Sequence, residues 1–143
     1  MKIIFTLFFI FSSLFAATKV YRQGNFVFDK KHNLLWQDTK ENIRVLKSQA
    51  GATEYCEKLV LGRFSDWRLP SRDEYLTIID KTRIDEEMTI HKAFKYNLSD
   101  HYWTSDRTWR NFYRWGYYIY FKSGTFYYEN KNYPKYVRCV HDY

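Results

Sequence analysis

Arginines alternate with aromatic residues in one short stretch near the end of the chain. This stretch and one lysine beyond it supply seven candidate ligand-binding residues, namely Arg107, Trp109, Arg110, Tyr113, Arg114, Trp115 and Lys122. Guanidinium groups pair with sulfate, phosphate and carboxylate groups, and aromatic rings stack on sugar rings or on arginine. The pattern therefore favours a surface that binds anionic glycan or lipopolysaccharide.

The same composition is compatible with a solvated loop in which arginine side chains merely cover aromatic rings. The distribution of charge supports the binding interpretation: residues 101–141 hold seven lysines and arginines against two acidic residues, in a chain of net charge +7. Nucleic acid would exploit the same chemistry, but the export predicted below argues against it. Both interpretations, binding surface and solvated loop, stay open at this point.

Residues typical of catalysis or metal binding show no recognisable arrangement. The four histidines lack the spacing of metal ligands, and the sequence contains no H-E-x-x-H, C-x-x-C or G-x-S-x-G motif. We therefore expect no bound metal, no cofactor and no enzymatic activity.

The first residues have the organisation of a secretory signal peptide. A lysine at position 2 precedes an almost unbroken apolar run from Ile3 to Phe11, and the segment that follows contains the small residues Ser12, Ser13, Ala16 and Ala17. The run is shorter than the about 20 residues of a membrane span, so a membrane anchor is less consistent with it. We predict a signal peptide over residues 1–16, a single exported domain over residues 17–143 without a transmembrane segment, and a periplasmic or cell-surface location. The aromatic content of 22% excludes a disordered chain.

Two helices are predicted in the first half of the domain. Residues 48–61 place Ala52, Tyr55, Cys56 and Leu59 on one apolar stripe, with Gly62 as the stop. Residues 71–80 begin with a capping box, in which Ser71 and Glu74 have the required spacing.

Strands are predicted on both sides of these helices. Residues 26–28 and 34–36 flank a polar turn, which is typical of a β-hairpin. Residues 117–121 alternate, turn at Gly124 and return over 125–129, and residues 136–140 form a last strand. The expected fold class is α+β, with two helices packed on a mainly antiparallel sheet.

Cys56 and Cys139 are the two cysteines of the chain. Cys56 lies on the apolar stripe of the first helix, and Cys139 shares a strand face with Val137. An even number of cysteines in an exported domain favours a disulfide. The alternative is a pair of buried free thiols.

The block Asp66-Trp67-Arg68-Leu69-Pro70 precedes the second helix. We interpret it as a structural corner rather than a ligand cleft, in which Trp67 fills the core, Asp66 accepts backbone N–H groups and Arg68 pairs with a carboxylate. Trp36, Trp103 and Arg138 receive the same structural interpretation.

These blocks occur in a characteristic order along residues 26–141: Phe28-Asp29, Leu35-Trp36-Gln37, the helix with Cys56, D-W-R-L-P with Ser71 and Glu74, Tyr102 to Ser105, Phe121 to Gly124, and Tyr136 to Val140. In them the sequence resembles the Lcl C-terminal domain family of exported bacterial proteins, named for a collagen-like adhesin. The resemblance implies a fold distantly similar to C-type lectins. The oxygen ligands of calcium-binding lectins are absent, because Leu69 and Tyr133 precede the two prolines. A collagen-like stalk is absent too.

The functional expectation is a non-catalytic binding module that recognises anionic polysaccharide or envelope glycan. The alternative is a structural or protein-interaction subunit of an envelope complex, in which exposed tyrosines of a sheet edge contact an envelope protein.

Overall fold

The structure is a computed structural model that describes residues 20–143. The predicted signal peptide lies outside the described residues. Within them the chain forms nine strands and two α-helices. The strands are β1 (Val20–Gln23), β2 (Phe26–Asp29), β3 (Leu34–Gln37), β4 (Leu46–Lys47), β5 (His101–Thr108), β6 (Trp115–Tyr120), β7 (Thr125–Asn130), β8 (Lys135–Tyr136) and β9 (Val140–Asp142). The helices are α1 (Gln49–Lys58) and α2 (Arg72–Leu76), with 3₁₀ turns at Lys40–Ile43 and Lys81–Glu86.

The strands form two sheets. The first has the order β1-β2-β3-β9 and is antiparallel throughout, and the second has the order β4-β8-β5-β6-β7. In the second sheet β5 and β8 run parallel, and the other pairs are antiparallel. Helix α1 packs on β4 and β5, and α2 packs on β5 and β6. The predicted α+β class is thus confirmed, while the similarity to C-type lectins stays a prediction.

Strand β3 lies between two hydrophobic cores because its side chains alternate. Leu34 and Trp36 join a first core with Tyr75 and Tyr102, whereas Leu35 points to a second core around the cysteines. All four residues of the strand are buried, and complete burial of an apolar side chain is worth about 1.5–3 kcal/mol. The first sheet therefore forms a shared wall of both cores.

The helices begin where predicted but end earlier. The Ser48 hydroxyl accepts a hydrogen bond from the Gly51 amide at the start of α1, and Ser71 and Glu74 form the predicted capping box. Helix α1 ends at Lys58 because Leu59 is already extended. Gly62, with φ of 60°, belongs instead to a tight turn between Leu61 and Phe64.

The predicted last strand over residues 136–140 is divided in two. Tyr136 pairs in the second sheet and Val140 in the first, so the segment between them crosses from one sheet to the other. Val137 and Cys139 nevertheless share one core, as the alternation predicted.

Candidate functional site

The seven candidate residues centre on the connection between β5 and β6. We name residues 107–115 the basic aromatic loop. Its three consecutive residues Asn111, Phe112 and Tyr113 have φ of 51°, 53° and 60°. Left-handed backbone costs a residue with a side chain about 1–2 kcal/mol. This tight, strained conformation presents the side chains of the loop to solvent.

The aromatic residues of the loop are unusually exposed. Phe112 is 88% exposed, Trp109 74% and Tyr113 60%. Arg107, Arg110 and Arg114 are exposed as well, and none of them forms a salt bridge with another residue between 20 and 143. Exposed apolar surface rimmed by charge is typical of an interaction site.

The base of the loop is fixed to the rest of the domain. The Lys131 amide donates to the Arg114 carbonyl at 2.9 Å, and the Gln49 amide of α1 donates to the Lys131 carbonyl at 2.8 Å. The Gln49 side chain lies against Gly116, where a Cβ would collide with its amide group. The loop is therefore displayed from a rigid base.

One arginine of the loop is held over an aromatic pair of the sheet. Arg110 donates to the Tyr128 hydroxyl at 3.1 Å, and its guanidinium carbon lies 5.6 Å from the centre of that ring. The Tyr128 ring stacks on Trp115, with centroids 5.3 Å apart. Trp115 thus supports the ring that positions Arg110.

The same face of the sheet continues toward α2. Tyr117 contacts Tyr128 edge to face at 5.6 Å, and the Arg72 guanidinium carbon lies 3.8 Å from the centre of the Tyr117 ring. A bulge in β5 between Trp103 and Arg107 carries Asp106. Its carboxylate accepts the Arg72 amide at 2.7 Å and lies 3.6 Å from Arg72 Nε. The acidic group nearest in sequence to the loop is therefore engaged by α2.

The structure does not bring all seven candidates together. Lys122 lies in the turn at the opposite end of β6 and pairs with Glu87 at 3.2 Å. Arg107 is paired with Gly116 and Thr108 with Trp115, so Arg107 points to the other face of the sheet from Trp115. The remaining five candidates lie between positions 109 and 115, beyond Arg107 at the start of the loop.

Three contributors were not among the candidates. Phe112 is the most exposed aromatic residue of the loop, and its place among the arginines was a visible signal. Tyr128 becomes a neighbour of Trp115 through the register of β6 and β7, which the turn at Gly124 would have indicated. Arg72 lies far away in sequence and carries no local signal.

The D-W-R-L-P block forms a corner that holds the first sheet to α2. Trp67 is buried, and Arg68 donates to Glu74 at 2.6 Å and to Asp142 at 2.7 Å. The Pro70 carbonyl accepts the Ser105 amide of β5. Burial alone would raise the pKa of Glu74, but the hydrogen bonds from Arg68 and Ser71 lower it below its ordinary value.

Asp66 differs from the expectation. It is exposed, has φ of 60°, and its carboxylate accepts no hydrogen bond from residues 20–143. Its left-handed backbone turns the chain into the corner, a conformation that aspartate tolerates better than most residues.

Cys56 and Cys139 form a disulfide, with Cα atoms 5.5 Å apart. The predicted pairing is confirmed. It ties α1 to the segment that crosses between the two sheets.

Residues 20–143 contain no group of three or more His, Cys, Asp or Glu side chains that could hold a metal ion. They also contain no helix with the length and apolar character needed to cross a bilayer.

The profile of the Lcl C-terminal domain matches residues 25–141. The chain therefore belongs to this family, a family of exported bacterial domains of unknown function. The disulfide is consistent with export. No curated protein matches the chain.

Proposed function

We propose that this domain is an exported, non-catalytic module that binds anionic polysaccharide through the basic aromatic loop. The observation that carries the proposal is a loop with a fixed base that displays two exposed arginines, Arg110 and Arg114, together with three exposed aromatic rings. Neither arginine has a salt-bridge partner in residues 20–143. Sulfate and carboxylate groups of a glycan would pair with the guanidinium groups, and its sugar rings would stack on Trp109, Phe112 or Tyr113.

Residues of the second sheet also prepare the loop for binding an anion. Arg110 is already oriented by Tyr128, so less side-chain entropy is lost when it binds an anion. Because Asp106 is paired with Arg72, its charge does not compete for the arginines of the loop. The loop thus offers positive charge that no carboxylate of residues 20–143 neutralises at close range.

Heparin binding measured by calorimetry over a salt series tests the proposal. We expect affinity to fall as salt increases, because ion pairs with a polyanion release its counterions, and to fall at least about tenfold in an Arg110→Ala/Arg114→Ala variant. An Arg44→Ala/Lys92→Ala variant removes the same charge from exposed positions on other segments and serves as the matched control. Absent or salt-independent binding, or equal losses in both variants, would overturn the proposal.

A protein-interaction role is the second candidate. Strand β7 is an open edge of the second sheet, and Tyr127 and Tyr128 are both exposed on it. This candidate predicts that pull-down from an envelope extract retains a defined partner and that Tyr127→Ser removes it. The heparin affinity would then be the same for Tyr127→Ser and for the unchanged protein. A strictly monomeric protein that captures nothing would contradict it.

A further inference from the structure

An aromatic cleft of about 510 Å³ lies on the first sheet, and none of its lining residues belongs to the basic aromatic loop. It opens between the β1–β2 hairpin and the turn that follows α1. Its walls are mainly aromatic, with contributions from Tyr21, Phe26, Phe28, Phe64 and Tyr143. Its volume falls within the about 300–1,000 Å³ that is typical of small-molecule sites.

The cleft exists because the turn covers only part of the sheet. Phe26 stacks on the buried Trp67 and contacts Phe64 edge to face, which closes one end. Gly62 permits this arrangement, because a Cβ at this position would lie 3.1 Å from the Phe26 ring. Tyr21 and Phe28 are cross-strand partners that stack 5.1 Å apart and remain half-buried. Their exposed edges form an apolar floor.

Polar groups without partners stand around this floor. The side-chain amides of Gln23 and Asn25 flank the Gly24 turn and form no hydrogen bond with another residue of 20–143. Arg63 lies over the Phe64 ring and Lys30 over the Tyr21 ring, at 5.5 Å and 5.4 Å. Neither cation forms a salt bridge within residues 20–143, and the nearby Asp29 is buried and paired with His32.

We propose that this cleft binds a single carboxylated sugar unit, a hexuronic acid. The aromatic edges suit the apolar face of a pyranose ring, the two amides suit its hydroxyl groups, and Arg63 suits the carboxylate. The amides favour a sugar over a flat aromatic acid, which has few hydroxyl groups to satisfy them. The site does not depend on the basic aromatic loop, so the domain would contact glycan at two separate places.

Titration of the purified protein with sodium glucuronate, followed by NMR shifts of backbone amides, tests the site. We expect shifts at Gly24, Asn25 and Phe64, and affinity at least about fivefold higher than for glucose, because glucose lacks the carboxylate. Arg63→Gln should reduce glucuronate affinity to the level of glucose. Arg44→Gln, a control at another exposed arginine, should leave it unchanged.

Two further variants distinguish binding in the cleft from binding at the basic aromatic loop. The Arg110→Ala/Arg114→Ala variant should bind glucuronate in the cleft as well as the unchanged protein does, even where its heparin binding is lost. Tyr143→Ser, a change at an exposed ring that lines the cleft, should weaken glucuronate binding. Absence of shifts in the cleft, normal binding by Arg63→Gln, or tighter binding of 4-hydroxyphenylacetate than of glucuronate would overturn the proposal.

Discussion

Arg138 and Arg110 carry the same side chain in opposite surroundings. Arg138 is fully buried and donates to the Gln37 carbonyl, the Tyr96 carbonyl and Asn97 Oδ1, and it lies 3.6 Å from Asp38. Arg110 is exposed, with one tyrosine hydroxyl as its partner among the described residues. The comparison separates arginines that determine the fold from arginines that are free to bind a ligand.

The buried arginine lies at the centre of what we name the junction cluster, formed by Arg138, Asp38 and Arg22. Asp38 accepts hydrogen bonds from Arg22 Nε at 2.6 Å and from the Lys95 and Tyr96 amides at 3.0 and 2.9 Å. Through these contacts the cluster ties β1, the end of β3, and residues 95–97 to the segment between β8 and β9. The Asp38 carboxylate and both terminal nitrogens of Arg138 have partners inside the protein, and Arg138 Nε is buried without one. Because Arg138 and Asp38 are fully buried, their charged groups are not accessible to a ligand.

The largest expected effect comes from removal of the buried guanidinium group. Arg138→Met should lower the free energy of unfolding by about 4 kcal/mol, because one buried and two partly buried acceptors lose their donor and Asp38 loses a countercharge. Urea denaturation measures this. The same substitution in the loop, Arg110→Met, is the matched control, with an expected change within about 0.5 kcal/mol. Similar losses in the two variants would remove the distinction between the regions.

The disulfide, like Arg138, belongs to the part of the molecule that maintains the fold. A Cys56→Ala/Cys139→Ala variant should lose about 3 kcal/mol, since the bridge spans 83 residues and restricts the unfolded chain. Thermal unfolding of the oxidised protein, the reduced protein and the double variant measures the loss. Heparin binding of the folded variant should persist, because both cysteines lie in the second core, which includes no residue of the loop. A midpoint that reduction leaves unchanged would contradict the expectation.

Loss of the ion pair between Arg68 and Glu74 should have an intermediate effect on stability, and this effect should depend on pH. The folded-state pKa of Glu74 is lowered, so its contribution to stability is present above the pKa of the unfolded chain and is lost as pH falls through the folded value. Glu74→Gln should therefore cost about 1 kcal/mol at pH 7 and progressively less below pH 4. Denaturation at several pH values measures both. A cost independent of pH would assign the effect to the helix cap alone.

Local signals in the sequence located the elements but not their assembly. Ser48 and Ser71 marked helix starts, since a cap needs only neighbouring residues, and the alternation of Val137 and Cys139 placed both in one core. The crossing between sheets was missed because the partners of Arg138 lie some 40 and 100 residues earlier in the chain. Tyr21, Phe64 and Tyr143 likewise meet in the aromatic cleft from three distant segments. The basic aromatic loop was predictable because its residues are contiguous. Lys122 could be excluded from it only once β6 was known to separate the two.

The smallest expected effect has the opposite sign. Phe112 is held at φ of 53° with little of its side chain buried, so Phe112→Gly should stabilise the domain by about 0.5–1 kcal/mol by relieving left-handed strain. Asn33 has the same φ of 53° in the turn after β2 and is the matched control. Asparagine adopts this conformation at lower cost, so Asn33→Gly should gain less.

The unfolding free energies and heparin affinities of these two variants test whether Phe112 serves the fold or the binding of a ligand. Phe112→Gly should be more stable yet bind heparin less tightly, whereas Asn33→Gly should bind normally. If the domain gains stability when Phe112 is lost, then Phe112 does not contribute to the fold. Its left-handed backbone conformation would be a cost that is compatible with a role in binding. If Phe112→Gly were instead destabilised, Phe112 would belong with the junction cluster among the residues that maintain the fold, and the loop would lose its status as a region shaped for binding.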